Sequence, residues 1–177
     1  MHNGRSQVLG FYLPAEMLGL DGIGDRRYHV DAIALEETVV CEIPFESLEG
    51  LSRKIPALQN YLHRILSHEL MLDQMHLSSL GSLCVNEKLA GFLINLSSKY
   101  TLRGCPVNQF EIHISREEIA SYLGVRIETI SRTLSYFVES GFITLEHRRF
   151  IKLIDIEGLL VLAGQVKTKP LYLDKAA

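Results

Sequence analysis

No stretch of the 177 residues approaches the roughly 20 consecutive apolar positions that a membrane-spanning helix requires, so none is expected. The opening residues also lack a signal-peptide core, because Pro14 and Glu16 interrupt them, and export is not expected. Cysteine is scarce. Cys41, Cys84 and Cys105 are odd in number, far apart and outside any CxxC pair, which argues against a disulfide framework and a self-contained zinc site and favours a reducing cytoplasm. Catalytic signatures are missing as well. The seven histidines show no HExxH spacing, no glycine-rich phosphate loop occurs, and no serine lies in a nucleophile-elbow context, so an enzyme is the weakest option.

What the chain does have is apolar residues, 47% of the total, enough to fill one large core or two small ones. The net charge of −3 gives no general attraction to nucleic acid, but it is unevenly distributed. Eight basic and twelve acidic residues precede Tyr100, whereas ten and nine follow from it onward, so any DNA-facing charge must be local.

To about Ile43, short apolar runs alternate with turn residues. Gln7 to Leu13, His29 to Leu35 and Thr38 to Ile43 are expected as β-strands around a glycine-rich stretch at Gly19, Gly22 and Gly24. These strands are too few to close a sandwich or barrel, which leads us to expect an N-terminal truncation. From Pro56 to about Leu80 neither proline nor glycine intervenes, which predicts a helix of about 25 residues and roughly 37 Å that Gly81 would end. Leu66, Leu70, Asp73, Leu77 and Leu80 recur along it at spacings of four and three. That heptad seam suits either a parallel partner helix or the chain's own β-domain. A carboxylate in a leucine seam would meet its two-fold copy, making a deliberately weak dimer, unless Asp73 simply faces solvent.

A helix from Asn86 to Leu96 and a loop with Gly104 and Pro106 precede a short strand, Phe110 to Ile114. Ser115 and Glu118 then form an S-x-x-E capping box that starts a helix through Leu123. Gly124 makes a turn, a second helix runs from about Arg126 to Ser140, and two strands follow, Phe142 to Leu145 and Phe150 to Ile154. Helix, tight turn, helix and hairpin predict a winged helix-turn-helix. The expected fold class is therefore α+β. A partial sensory β-roll would occupy residues 1–55, a dimerisation helix 56–80 and a winged helix-turn-helix domain 81–177, with the helix-turn-helix itself at 116–135.

The second helix of that unit sorts its residues. Ile127, Ile130, Leu134, Phe137 and Val138 fall on one face, expected to be buried, while Glu128, Ser131, Arg132 and Ser135 share the other. A guanidinium can donate twice to guanine O6 and N7, a carboxylate can accept from cytosine N4, and a serine can meet a thymine edge. Alternatively, Glu128 and Arg132 are only a surface salt bridge at i, i+4. Arg116, Arg126, Arg148 and Arg149 would contact phosphates, or be solvated loop charges.

The stretches SREEIASYLGVRIETISRTL from Ser115, VCEIPFESLEGLSRKIP from Val40 and LAGFLINLSSKY from Leu89 closely resemble the fumarate-and-nitrate-reduction branch of the CRP/FNR regulators. The resemblance covers nearly the whole chain. It implies that Glu128, Ser131 and Arg132 read a TTGAT-type half-site, and that a homodimer binds a TTGAT-N4-ATCAA-like palindrome, with RNA polymerase as a further partner. It also implies an acidic residue at Asp73 that keeps the inactive form monomeric. The family's sensor is an oxygen-labile 4Fe-4S cluster held by four cysteines. Cys41, in V-C-E-I-P-F, matches the central ligand, while the other three ligands have no counterpart, so no cofactor is expected in this fragment. Cys84 and Cys105 do not fall on ligand positions. Cyclic-nucleotide binding fits poorly, because Gly19-Leu20 and His29-Val30-Asp31 stand where that branch places its ribose- and phosphate-holding residues. A second reading is a truncated, non-sensing chain that acts by heterodimerisation or as an interaction partner.

Overall fold

The computed structural model describes residues 6–147 and 149–164. Two compact units result: residues up to Phe11 together with those from Ser82 onward, and the stretch Tyr12–Gly81.

In the Tyr12–Gly81 unit, a 3-10 turn at Leu20–Gly22 is followed by helix α1, Phe45–Ser52, and the start of the long α2, Pro56–Ser82. The strands expected at 7–13, 29–35 and 38–43 do not form. None of the three joins a ladder, and in the two later segments apolar side chains stand in solvent, Val39 at 98% and Ile33 at 82% exposure. A strand is stable only when a neighbouring strand takes up its N–H and C=O groups, and among the described residues no second strand pairs with any of the three. Side chains hold the turn instead: the His29 N–H donates to Asp21 Oδ2 at 2.8 Å, and His29 Nε2 lies 2.9 Å from Asp25 Oδ2. Arg26 pairs with Glu46 at 3.3 Å on the open surface.

Helix α2 continues through Gly81 rather than ending before it. Glycine costs a helix interior only about 1 kcal/mol, too little to stop the last turn of a long helix. The break falls two residues later, where the N–H of Cys84 donates to Glu87 Oε2 at 2.6 Å and starts helix α3, Val85–Thr101.

The other unit has the winged-helix order: α3, β1 (Gln109–Glu111), α4 (Arg116–Leu123), α5 (Ile127–Glu139), β2 (Ile143–Glu146), β3 (Phe150–Leu153) and α6 (Ile156–Leu162). The strands pair antiparallel in the order β1-β3-β2, with Ile151 opposite both Phe110 and Leu145. Leu89 and Leu93 of α3, Ile119 of α4, Ile130 and Phe137 of α5, Ile143, Ile151 and Leu153 of the sheet, and Leu159 of α6 form its core. The short α6 is started by Asp155, whose carboxylate accepts the N–H of Gly158 at 2.8 Å.

Candidate nucleic-acid interface

Helix α4 begins where the sequence places it. Ser115 Oγ accepts the N–H of Glu118 at 3.1 Å and Glu118 Oε2 accepts the N–H of Ser115 at 2.6 Å, satisfying two donors the helix itself leaves open. Gly124 then adopts φ 65° and ψ 36°, a left-handed conformation that glycine enters freely. The Val125 N–H closes the turn on the Ala120 carbonyl at 3.0 Å. Ile119, Ala120, Leu123 and Ile130 are buried at the junction, so the turn fixes how α5 leaves α4.

On α5 the buried residues are Ile130, Thr133, Leu134 and Phe137. Ile127 and Val138, expected inside, are instead 40% and 39% exposed. They lie in the first and last turns of the helix, beyond the reach of the core, while Thr133 lies between Ile130 and Phe137 and is carried inward by its angular position. Glu128, Arg132 and Ser135 are exposed and Ser131 half-buried, on the spacing i, i+3, i+4, i+7 that defines a single face.

Arg116 Nη1 donates to Ser131 Oγ at 3.4 Å, bringing a cation of α4 to the centre of that face. Ser135 Oγ donates to the Ser131 carbonyl at 3.1 Å. Among the described residues, no ion pair joins Glu128 to Arg132. Both are left open to an outside partner. Arg126 is exposed at the start of α5, and Arg149 is exposed in the β2–β3 turn. Arg148 lies outside the described residues.

Sequence reasoning missed Asn86, Thr129 and Tyr136. Together with Arg132 and Thr133 they line a shallow, open depression of about 280 Å³ beside the polar face. Thr129, Arg132, Thr133 and Tyr136 again follow i, i+3, i+4, i+7, a signal present in the sequence, whereas Asn86 comes from α3 and has none.

On α2, no side chain is fully buried. Leu66, Leu70 and Leu77 are 41%, 60% and 68% exposed, Asp73 is exposed and Leu80 half-buried, so the leucine seam lies largely uncovered. Asp73 and Glu69 act on Tyr12, whose phenol is raised above its ordinary pKa first by burial and then by these carboxylates, Glu16 and Asp21.

A family profile described as the Crp-like helix-turn-helix domain matches residues 87–162. The transcriptional activator protein FnrA of Stutzerimonas stutzeri is 44% identical over 161 residues, covering 91% of this chain and 66% of that protein. The anaerobic regulatory protein of Haemophilus influenzae is 38% identical over 167 residues, 94% of this chain and 65% of its own length. The chain belongs to the CRP/FNR family of transcription regulators. Its fold agrees: FixK2 from Bradyrhizobium japonicum superposes with a TM-score of 0.59 at 27% identity, over 66% of this chain and 57% of that one. Relatives and fold are those of regulators, not of enzymes. The chain spans about two thirds of the length of these curated relatives.

The donor set does not fit the family's iron-sulfur cluster. A 4Fe-4S centre takes four cysteine thiolates, and the whole sequence carries three. Cys41 is exposed and free, and among the described residues no group of three histidine, cysteine or acidic side chains could hold a metal ion.

Proposed function

We propose that this protein is a sequence-specific DNA-binding regulator of the oxygen-responsive type, acting as a homodimer on a TTGAT-N4-ATCAA-like palindrome. The observation that carries this reading is the outward polar face of α5, where Glu128 and Arg132 stand open beside the Arg116–Ser131 contact on a helix whose other face is locked in the core. Placed in a major groove, that face offers Arg132 to guanine O6 and N7, Glu128 to cytosine N4 and Ser131 to a thymine edge. Arg116, Arg126, Arg148 and Arg149 supply phosphate contacts that set register without reading sequence.

Dimerisation through Leu66, Leu70, Asp73, Leu77 and Leu80 would place two such helices on half-sites about one turn, roughly 34 Å, apart. The exposure of these leucines supports the seam as an interface over its use as a cover for the chain's own β-segments. RNA polymerase in the cytoplasm would be the downstream partner. The names of the anaerobic relatives support the class of genes controlled; oxygen detection by this chain itself lacks the ligands it would need.

The test is a gel shift with the palindromic duplex and a scrambled duplex. Arg132→Ala should cost about 1–3 kcal/mol on the operator and far less on scrambled DNA. Equal loss on both would reduce Arg132 to a phosphate contact. The exposed leucine seam also favours a second reading, in which the chain heterodimerises with intact regulators. Failure of the homodimer to bind operator, with binding restored by mixing in a full-length relative, would select it.

A further inference from the structure

The segment just before Tyr12 does not stay with the unit that follows it. Residues up to Phe11 group with the winged helix. The Val8 N–H donates to Ser121 Oγ of α4 at 2.9 Å, and Lys99 Nζ of α3 donates to the Phe11 carbonyl at 3.0 Å. The Phe11 ring packs edge-on against Phe92 of α3, with centroids 5.8 Å apart, and against Tyr122 of α4, 5.3 Å apart. Phe92 and Tyr122 themselves lie 5.7 Å apart, so Phe11 completes a three-ring cluster across the α3–α4 seam. Val8, Gly10 and Phe11 are half-buried while Leu9 is 56% exposed, so Leu9 is the residue of this stretch that faces solvent.

We propose that residues 7–11 are an intramolecular strap that seats the first helix of the helix-turn-helix against α3 and couples it to the rest of the chain. A mere neighbour would share apolar contact only. Here two directional bonds and an aromatic wedge converge from both helices, and the main chain itself is gripped at each end of the strap. The chain leaves the strap at Tyr12 to enter the second unit and returns from that unit at Ser82. The chain thus crosses between the two units twice, after Phe11 and before Ser82. Withdrawal of the strap would loosen the seating of α4 against α3 while leaving α4 anchored through Ile119, Ala120 and Leu123.

Hydrogen exchange on the full chain tests this directly, and its readout is independent of the DNA assignment. Phe11→Ala should raise exchange across residues 116–123 by roughly tenfold, with a smaller rise for Ser121→Ala, which removes only one hydroxyl and is the variant to rely on if Phe11→Ala folds poorly. Leu9→Ala, a larger apolar loss than Ser121→Ala but at an exposed position, should leave it unchanged. Operator affinity should fall several-fold in the first two variants and not in the third, an arm that alone rests on the reading of α5 given above. Unchanged exchange at 116–123 in both variants, or an equal rise in the hairpin 143–153, would overturn the strap. Raised exchange without any fall in affinity would overturn its coupling to DNA reading.

Discussion

The guanidinium of Arg116 crosses from the first turn of α4 to the hydroxyl of Ser131 at the middle of α5, Nη1 to Oγ at 3.4 Å. This places a cation of α4 within the polar face of α5, the face proposed to meet a groove's phosphates and base edges. Arg116→Ala should weaken binding about equally on operator and scrambled DNA and lower the slope of log affinity against log salt by about 1, the mark of one lost phosphate contact. Fluorescence anisotropy at several salt concentrations measures both. A loss confined to the operator would instead make Arg116 part of base reading through Ser131.

That contact joins residues fifteen positions apart, and no local pattern predicts it. Local patterns did fix the elements on either side. Ser115 with Glu118 sets the start of α4, Gly124 its end, and α5 falls within a residue of its expected bounds, because caps and left-handed turns are decided by neighbours in sequence. The misses have distinct physical causes: distant packing, short length and polarity. His29 to Leu35 and Thr38 to Ile43 carry the apolar runs of strands yet form none, since a strand needs a partner to take up its main-chain groups. Helices α1 and α6, eight and seven residues long, are too short to be announced by periodicity; α6 is held by its Asp155 cap and by Leu159, buried completely in the core. Thr133 was hidden by its polarity, although its position on α5 dictates burial.

Asp73 lies exposed between Leu70 and Leu77 on a seam that is largely uncovered. In a parallel dimer the two carboxylates would approach in a partly desolvated place and oppose association. Asp73→Ala should therefore tighten the dimer, on the order of tenfold in dissociation constant, and raise operator affinity at low protein concentration. Leu70→Lys should do the reverse. Sedimentation equilibrium across a concentration series reads both, and an unchanged monomer fraction in Asp73→Ala would sink the weak-seam idea.

Gly124 at φ 65° sets the angle between α4 and α5. A side chain in this left-handed region costs about 1–2 kcal/mol, so Gly124→Ala should lower the melting temperature by several degrees. Because the turn also aims the polar face, operator affinity should fall further than the stability loss explains at a temperature where the variant is fully folded. Thermal melts with binding measured well below the transition separate the two effects; a drop in melting temperature with intact binding would show that α5 is aimed by core packing alone.

The Tyr12 phenol has its pKa raised above the ordinary value of 10.0, through burial first and then the carboxylates of Glu69, Asp73, Glu16 and Asp21. The folded protein thus holds the phenolic proton more tightly than the unfolded chain does. The resulting stabilisation is complete below the ordinary value and disappears as pH rises through the higher folded one. Since Tyr12 is 50% exposed, solvent screens much of this effect and the change is small. Tyr12→Phe, which cannot ionise, should lose less stability than the wild type between about pH 9 and about pH 11, a difference that denaturant unfolding at matched pH measures. Asp73→Ala should bring the Tyr12 titration, followed by phenolate absorbance, back toward its ordinary value while leaving it above, because burial remains the larger cause. Parallel stability curves for Tyr12→Phe and wild type would show that the shift does not reach folding stability, and a Tyr12 titration indifferent to Asp73 would show that this carboxylate of α2 does not act on the phenol in solution.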